Sequence, residues 1–101
     1  MAKHGTGHAR YSIVKSNGTK AKIWARGRDR WALDRLIHSG REGCTAITHP
    51  GPRWSAYVFN LREMGVQIET IHEPHEGDYP GTHARYVLRC TVAQVREGGE
   101  A

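Results

Sequence analysis

Trp54, Tyr57, Val58 and Leu61 recur at offsets 0, 3, 4 and 7, and Gly65 follows them. That spacing draws one apolar stripe along a helix, and no other feature of the chain constrains the fold as tightly. The helix is expected from about Pro52, whose missing N–H costs nothing in a first turn, to Met64, with a stop at Gly65. At ~100° per residue, the four apolar side chains fall in one arc, which must face a core. Arg53, Ala56, Phe59, Asn60 and Glu63 fall opposite, with Ser55 and Arg62 toward one flank.

The segments around this helix read as its packing partners. Tyr11–Lys15 and Thr19–Trp24 are β-prone runs on either side of Asn17-Gly18, a pair that suits a tight hairpin turn. A second helix is expected from Arg28 or Asp29 to Ser39, with Asp29 as N-cap and Gly40 at the C-terminal end. Leu33, Leu36 and Ile37 form its stripe, flanked by Trp31. Gly43–Ile47 reads as a short strand, broken by His49-Pro50-Gly51-Pro52. Beyond Gly65, Val66–His72 alternates as a half-buried strand does. Glu73–His83, with two prolines and two glycines, reads as a loop. Ala84–Val92 then places Tyr86, Leu88, Cys90 and Val92 on one face, and Arg85, Val87, Arg89 and Thr91 on the other. These two strands make an antiparallel hairpin.

A chain of 101 residues sustains one hydrophobic core. The expected organisation is a disordered stretch over residues 1–9, a single domain over 10–93 that includes the hairpin 11–24, and a disordered tail over 94–101. With 38% hydrophobic and 25% charged residues, the composition is that of an ordinary globular chain. No apolar run is long enough to span a bilayer, and the first ten residues are too polar for a secretory signal. The expectation is therefore a cytoplasmic protein, with Cys44 and Cys90 reduced and buried as small apolar groups.

Charge is distributed unevenly. Residues 1–30 carry eight basic side chains against Asp29 alone, whereas residues 31–101 carry seven against nine acidic ones. A basic segment on a near-neutral body points to an anionic polymer, nucleic acid before membrane.

The order helix, short strand, helix, strand, loop, strand is that of a winged helix, in which the helix before the hairpin enters the major groove. The segment Arg53–Thr70, RWSAYVFNLREMGVQIET, resembles the recognition helix and second strand of small winged-helix proteins of bacterial prophages and mobile elements. The shared pattern is Leu61-Arg62-Glu63-Met64-Gly65 followed by Ile68-Glu69-Thr70, with Tyr86-Val87-Leu88 in the returning strand. The likeness spans roughly residues 26–92. It implies an α+β winged helix of two main helices and a C-terminal wing, here with an extra N-terminal basic hairpin. It implies a DNA-binding transcriptional regulator or excisionase-like factor near the nucleoid, whose partner is double-stranded DNA. A homodimer is expected, because one winged helix covers only a short half-site. The supporting helix before Pro52 looks cut to a single turn.

On that reading Arg53, Ser55, Ala56 and Asn60 are candidates to read bases, since Arg pairs with guanine and Asn with adenine. Lys15, Lys20, Lys22, Arg26, Arg28 and Arg30, with Arg85 and Arg89 from the wing, are candidates for phosphate. The alternative is a protein-interaction module that uses exposed Phe59 as an anchor. His72, His75 and His83 cluster with Glu73, Glu76 and Asp78, but they lack the paired spacing of a zinc site, so no metal or other cofactor is expected. Nothing fixes Cys44 against a catalytic base, and no phosphate-binding glycine loop precedes a helix. Neither enzymatic activity nor a small-molecule substrate is expected.

Overall fold

The computed structural model describes residues 8–50, 53–75 and 81–95, apart from the side chains of His8 and His75. β1 (His8–Val14) and β2 (Lys20–Arg26) form the expected hairpin, with Tyr11 opposite Ile23. Its turn closes through two 2.8 Å bonds, Lys15 N–H to Thr19 C=O and Gly18 N–H to Lys15 C=O. β2 leads straight into α1 (Gly27–Ser39), which ends where the Gly40 N–H donates to Leu36 C=O. Asp29 is not the N-cap. Arg26 takes that place with an extended backbone, and Asp29 sits in the first turn.

The expected strand Gly43–Ile47 is reduced to a single bridge, in which Cys44 and Tyr86 exchange two 2.9 Å backbone bonds. The chain coils immediately afterwards because the Thr45 hydroxyl accepts from the Ile47 and Thr48 N–H groups at 3.1 and 3.0 Å. His49 N–H closes the turn on Thr45 C=O at 2.9 Å. Ile47 consequently points outward and is 67% exposed. The segment expected to hold a cut-down supporting helix therefore holds one turn.

α2 (Trp54–Glu63) follows, with Arg53 as its N-cap. Pro52, the expected first residue of this helix, lies outside the described residues. All four stripe residues, Trp54, Tyr57, Val58 and Leu61, are buried. β3 (Ile68–His75) and β4 (Gly81–Leu88) pair in antiparallel register from Ile68–Leu88 to His75–Gly81. The strands thus take in Glu73–His75 and Gly81–His83, which read as loop in the sequence. The tip over residues 76–80 lies outside the described residues.

The continuous strand expected over Ala84–Val92 is a further correction. β4 stops at Leu88, and β5 (Thr91–Gln94) crosses to the other sheet, where it pairs with β1 in the order β2-β1-β5. The break at Arg89-Cys90 is required because Val92 is buried opposite Ile13, while Val87 is buried in the β3–β4 hairpin. One straight strand cannot serve both sheets. Pairing on β1 also carries order past the expected limits of 10 and 93. β1 begins at His8, and Val95 N–H donates 2.7 Å to Arg10 C=O. Residues 1–7 and 96–101, the remainder of the expected disordered ends, lie outside the described residues.

The N-terminal hairpin is part of the core rather than an appendage. Ala9, Tyr11, Ile13, Ile23 and Ala25 join Leu33 and Leu36 of α1 and the α2 stripe in one buried cluster. The Tyr11 hydroxyl donates 2.7 Å to Asp34 of α1. Burial first, and that hydrogen bond second, hold the phenol pKa well above its ordinary value.

Gly43 carries the backbone past β4 at close range. Its φ is +70°, and a Cβ there would overlap the Tyr86 carbonyl and lie 2.8 Å from Val87 Cγ2. Gly43→Ala is expected to lower thermal stability by several degrees, because backbone strain and steric overlap act together. Trp54→Ala is expected to cost ~3–5 kcal/mol, the usual range for removing a buried aromatic side chain. A chemical denaturation midpoint for Trp54→Ala equal to that of the native chain would contradict this packing.

Candidate nucleic-acid interface

The residues that carry the likeness to winged-helix proteins form a physical unit. Leu61 is buried, and Arg62, one position on, turns back over the following strand. Its Nη2 donates 2.7 Å to Ile68 C=O and 2.8 Å to Thr70 Oγ1, and its Nε donates 3.2 Å to the same carbonyl. Gly65, with φ of +110°, makes the reversal between helix and strand. Arg62 thus fixes the angle between α2 and the wing. The sequence placed it on a flank of the helix without a role.

Six side chains stand exposed along α2: Arg53 at its start, then Ser55, Phe59, Asn60, Arg62 and Glu63; Ala56 is half-buried. Phe59 is 61% exposed. Asn60 donates through Nδ2 to Asp29 Oδ1 at 3.2 Å, so the first turn of α1 sets its orientation. One amide hydrogen and the carbonyl oxygen remain for another partner.

The basic candidates separate into four groups. Arg26 and Arg28 lie where α1 begins beside α2. The Arg28 guanidinium sits 4.3 Å from the Trp31 ring centre and its Nε donates 3.3 Å to the Tyr57 hydroxyl. Lys15, from the hairpin turn, reaches the Gly65 turn at the end of α2. Lys20 and Lys22 project, exposed, from β2. Arg30, Arg85 and Arg89 instead face carboxylates. Arg30 approaches Asp34 at 3.9 Å, Arg85 meets Glu73 at 2.6 Å, and Arg89 meets Glu69 at 2.6 Å. Arg85 also donates 2.6 Å to Glu42 C=O, which ties the wing to the segment after α1.

The hydrogen bonds from Arg85, with a lesser contribution from His83 at 3.1 Å, hold the Glu73 carboxyl below its ordinary pKa, while Glu73 raises that of Arg85. His72 is exposed, and the side chain of His75, with Glu76 and Asp78, falls outside the described residues. Among the described residues no group of three or more His, Cys, Asp or Glu side chains is placed to hold a metal ion. Cys44 is buried, and burial pushes its thiol pKa up, the opposite of what a nucleophile needs. Cys90 is only half-buried, and its sulfur accepts from Gln67 N–H at 3.3 Å. No helix among the described residues is long and apolar enough to cross a membrane.

A helix packed through one stripe, preceded by a bridge strand and a turn and followed by a hairpin clamped to its end, defines a winged helix-turn-helix. A model of the winged helix domain family matches residues 22–98, and the chain belongs to that family. Membership suggests DNA binding, and such domains are typically non-enzymatic modules. No curated protein and no solved structure matches the chain significantly.

Two expectations follow from these contacts. Arg62→Ala is expected to lower stability by about 1–2 kcal/mol, with Arg62→Lys recovering little, because an ammonium cannot reproduce the forked contact. Denaturant titration of the two variants checks this. Because the folded pKa of Glu73 is depressed, its pairing stabilises the wing above the ordinary carboxylate range. That stabilisation is lost only as pH falls through the lower folded value. In an NMR titration the Arg85 Nε–H resonance should show loss of the Glu73 pairing only below pH ~4.3, and Glu73→Gln should abolish that movement.

Proposed function

We propose that this protein binds double-stranded DNA with α2 in the major groove, as a small transcriptional regulator or excisionase-like factor of the nucleoid. The observation that carries the reading is the division of α2 itself: one stripe is buried, and the other side presents Arg53, Ser55, Phe59 and Asn60 to solvent. Arg53 and Asn60 have the donor and acceptor geometry for guanine and adenine edges, with Ser55 and Ala56 beside them. Asp29 holds Asn60 in place before any base is met. Arg26, Arg28 and Lys15 flank the helix and would take phosphates, and Lys20 and Lys22 extend that basic surface. Arg30, Arg85 and Arg89 would contribute less, since each already faces a carboxylate. A homodimer supplies the second half-site, and neither a cofactor nor a small-molecule substrate takes part.

A mobility-shift titration against a selected duplex and a scrambled one tests the reading. Arg53→Ala and Asn60→Ala should each lose about 1–3 kcal/mol of discrimination at one base position. Their folding should scarcely change. Phe59→Ala should leave sedimentation unaltered. If both polar variants are silent on DNA while Phe59→Ala breaks an assembly, α2 is a protein-docking surface instead.

A further inference from the structure

β1, β2 and β5 contain no Asp or Glu. Their inner face is the core. On the opposite face the pairing sets Arg10 directly across from Trp24, with Lys20, Lys22 and Arg26 at alternate positions along β2. Four cations therefore share one sheet face around an aromatic ring, with no carboxylate on any of its strands. Trp24 is 54% exposed, although a tryptophan ordinarily finds cover, and the Arg10 guanidinium stands 5.2 Å from its ring centre. At the α2 end the face runs into a shallow hollow lined by Trp24, Arg26, Asp29 and Met64. β2 is one of the two outer strands of the sheet, and its lysines discourage a second chain from pairing along that edge.

We infer that this outer sheet face is a second nucleic-acid site, which takes a single strand by stacking a base on Trp24 while Arg10, Lys20, Lys22 and Arg26 hold its phosphates. Charge complementarity selects a polyanion. The exposed ring selects one with unpaired bases, since the bases of an intact duplex are already stacked and cannot lie flat on a side chain. Same-face residues recur every ~6.8 Å along β2, so its four outward side chains form a track ~20 Å long. The hollow beside Trp24 leaves room for a base at its end. This surface shares Arg26, Lys20 and Lys22 with the phosphate contacts proposed beside α2, and only Arg10 and Trp24 belong to it alone, so Trp24→Ala is the variant that separates the two sites. A protein that holds a duplex in one place and a displaced strand in another is suited to DNA that is being opened.

The test is fluorescence anisotropy of the full chain with a labelled oligothymidylate and, separately, a labelled duplex. Trp24→Ala should weaken oligothymidylate binding roughly 5- to 150-fold, and Trp24→Phe should retain most of it. The double variant Lys20→Ala/Lys22→Ala should lower the magnitude of the log–log salt slope by up to about 1.4 on the single strand. Arg53→Ala should leave oligothymidylate affinity unchanged. Thermal melting of each variant shows whether it is folded. Oligothymidylate affinity unaffected by Trp24→Ala, or an equal loss on duplex and single strand, would overturn the proposal. Loss of duplex binding in Arg53→Ala with the single-strand site intact would support it.

Discussion

Trp54 is the side chain on which the other parts converge. Its ring stacks on Tyr86 of the wing at 5.9 Å and 17°, meets Trp31 of α1 at 5.4 Å and Tyr57 of its own helix at 6.3 Å. Its indole N–H donates 2.6 Å to His49 C=O at the end of the turn that precedes α2. One residue therefore sets the spacing between both helices, the wing and the connecting turn. This explains how the fold manages with so little before α2. In a helix-turn-helix a supporting helix props the recognition helix from one side. Here the Thr45–His49 turn supplies one hydrogen bond to Trp54, and aromatic contacts supply the remaining support. Arg28, stacked over Trp31 and bonded to Tyr57, closes the open side of the cluster.

A second constraint is the seating of α2 against the wing. Leu61 anchors the helix in the core, and Arg62 ties its last turn to the carbonyl of Ile68 and the hydroxyl of Thr70. A groove-reading helix is useful only if its tilt relative to the flanking hairpin is fixed, since small misplacements misalign paired hydrogen bonds on a base edge. Arg62 and Thr70 of the family-like motif thus serve the angle at which α2 is presented. Gln67 extends the same logic to the first sheet, where its side chain bonds Ser16 N–H at 2.8 Å and so joins the hairpin turn to the start of β3.

The legible parts of this fold were those whose pattern is local. The stripe of α2, the Asn17-Gly18 hairpin and the end of α1 each depend on residues a few positions apart, and each stands where the periodicity puts it. The largest failure came from pairing at long range. Nothing within Ala84–Val92 announces that the strand must divide, because the demand comes from β1, some 80 residues earlier in the register of Ile13 with Val92. Gly43–Ile47 looks like a strand by composition. The Thr45 hydroxyl, which competes for the backbone N–H groups of Ile47 and Thr48, makes it a turn instead. Arg62 was hidden for the complementary reason: its partners lie across the reversal at Gly65, so a helical wheel shows only a flank. The exposed side chains of α2 could be named from the wheel. That Asp29 would orient Asn60 could not, because the contact joins two helices.

The arrangement of charge carries the last step. Basic residues in the wing are matched one to one with carboxylates: Arg85 with Glu73, Arg89 with Glu69. Those pairs stiffen the hairpin and cancel the charge of both arginines. The strands of the N-terminal sheet carry no Asp or Glu, and Arg10, Lys20, Lys22 and Arg26 stand together on its outer face. A field that survives on one face and is cancelled on another steers a polyanion to the first. The wing is mechanically firm but net acidic, with Glu69, Glu73, Glu76 and Asp78 against Arg85 and Arg89. The positive charge lies instead on the hairpin that precedes α1. A hairpin that also supplies Tyr11, Ile13 and Ile23 to the core cannot swing away from the body. Its basic face therefore keeps a fixed relation to α2.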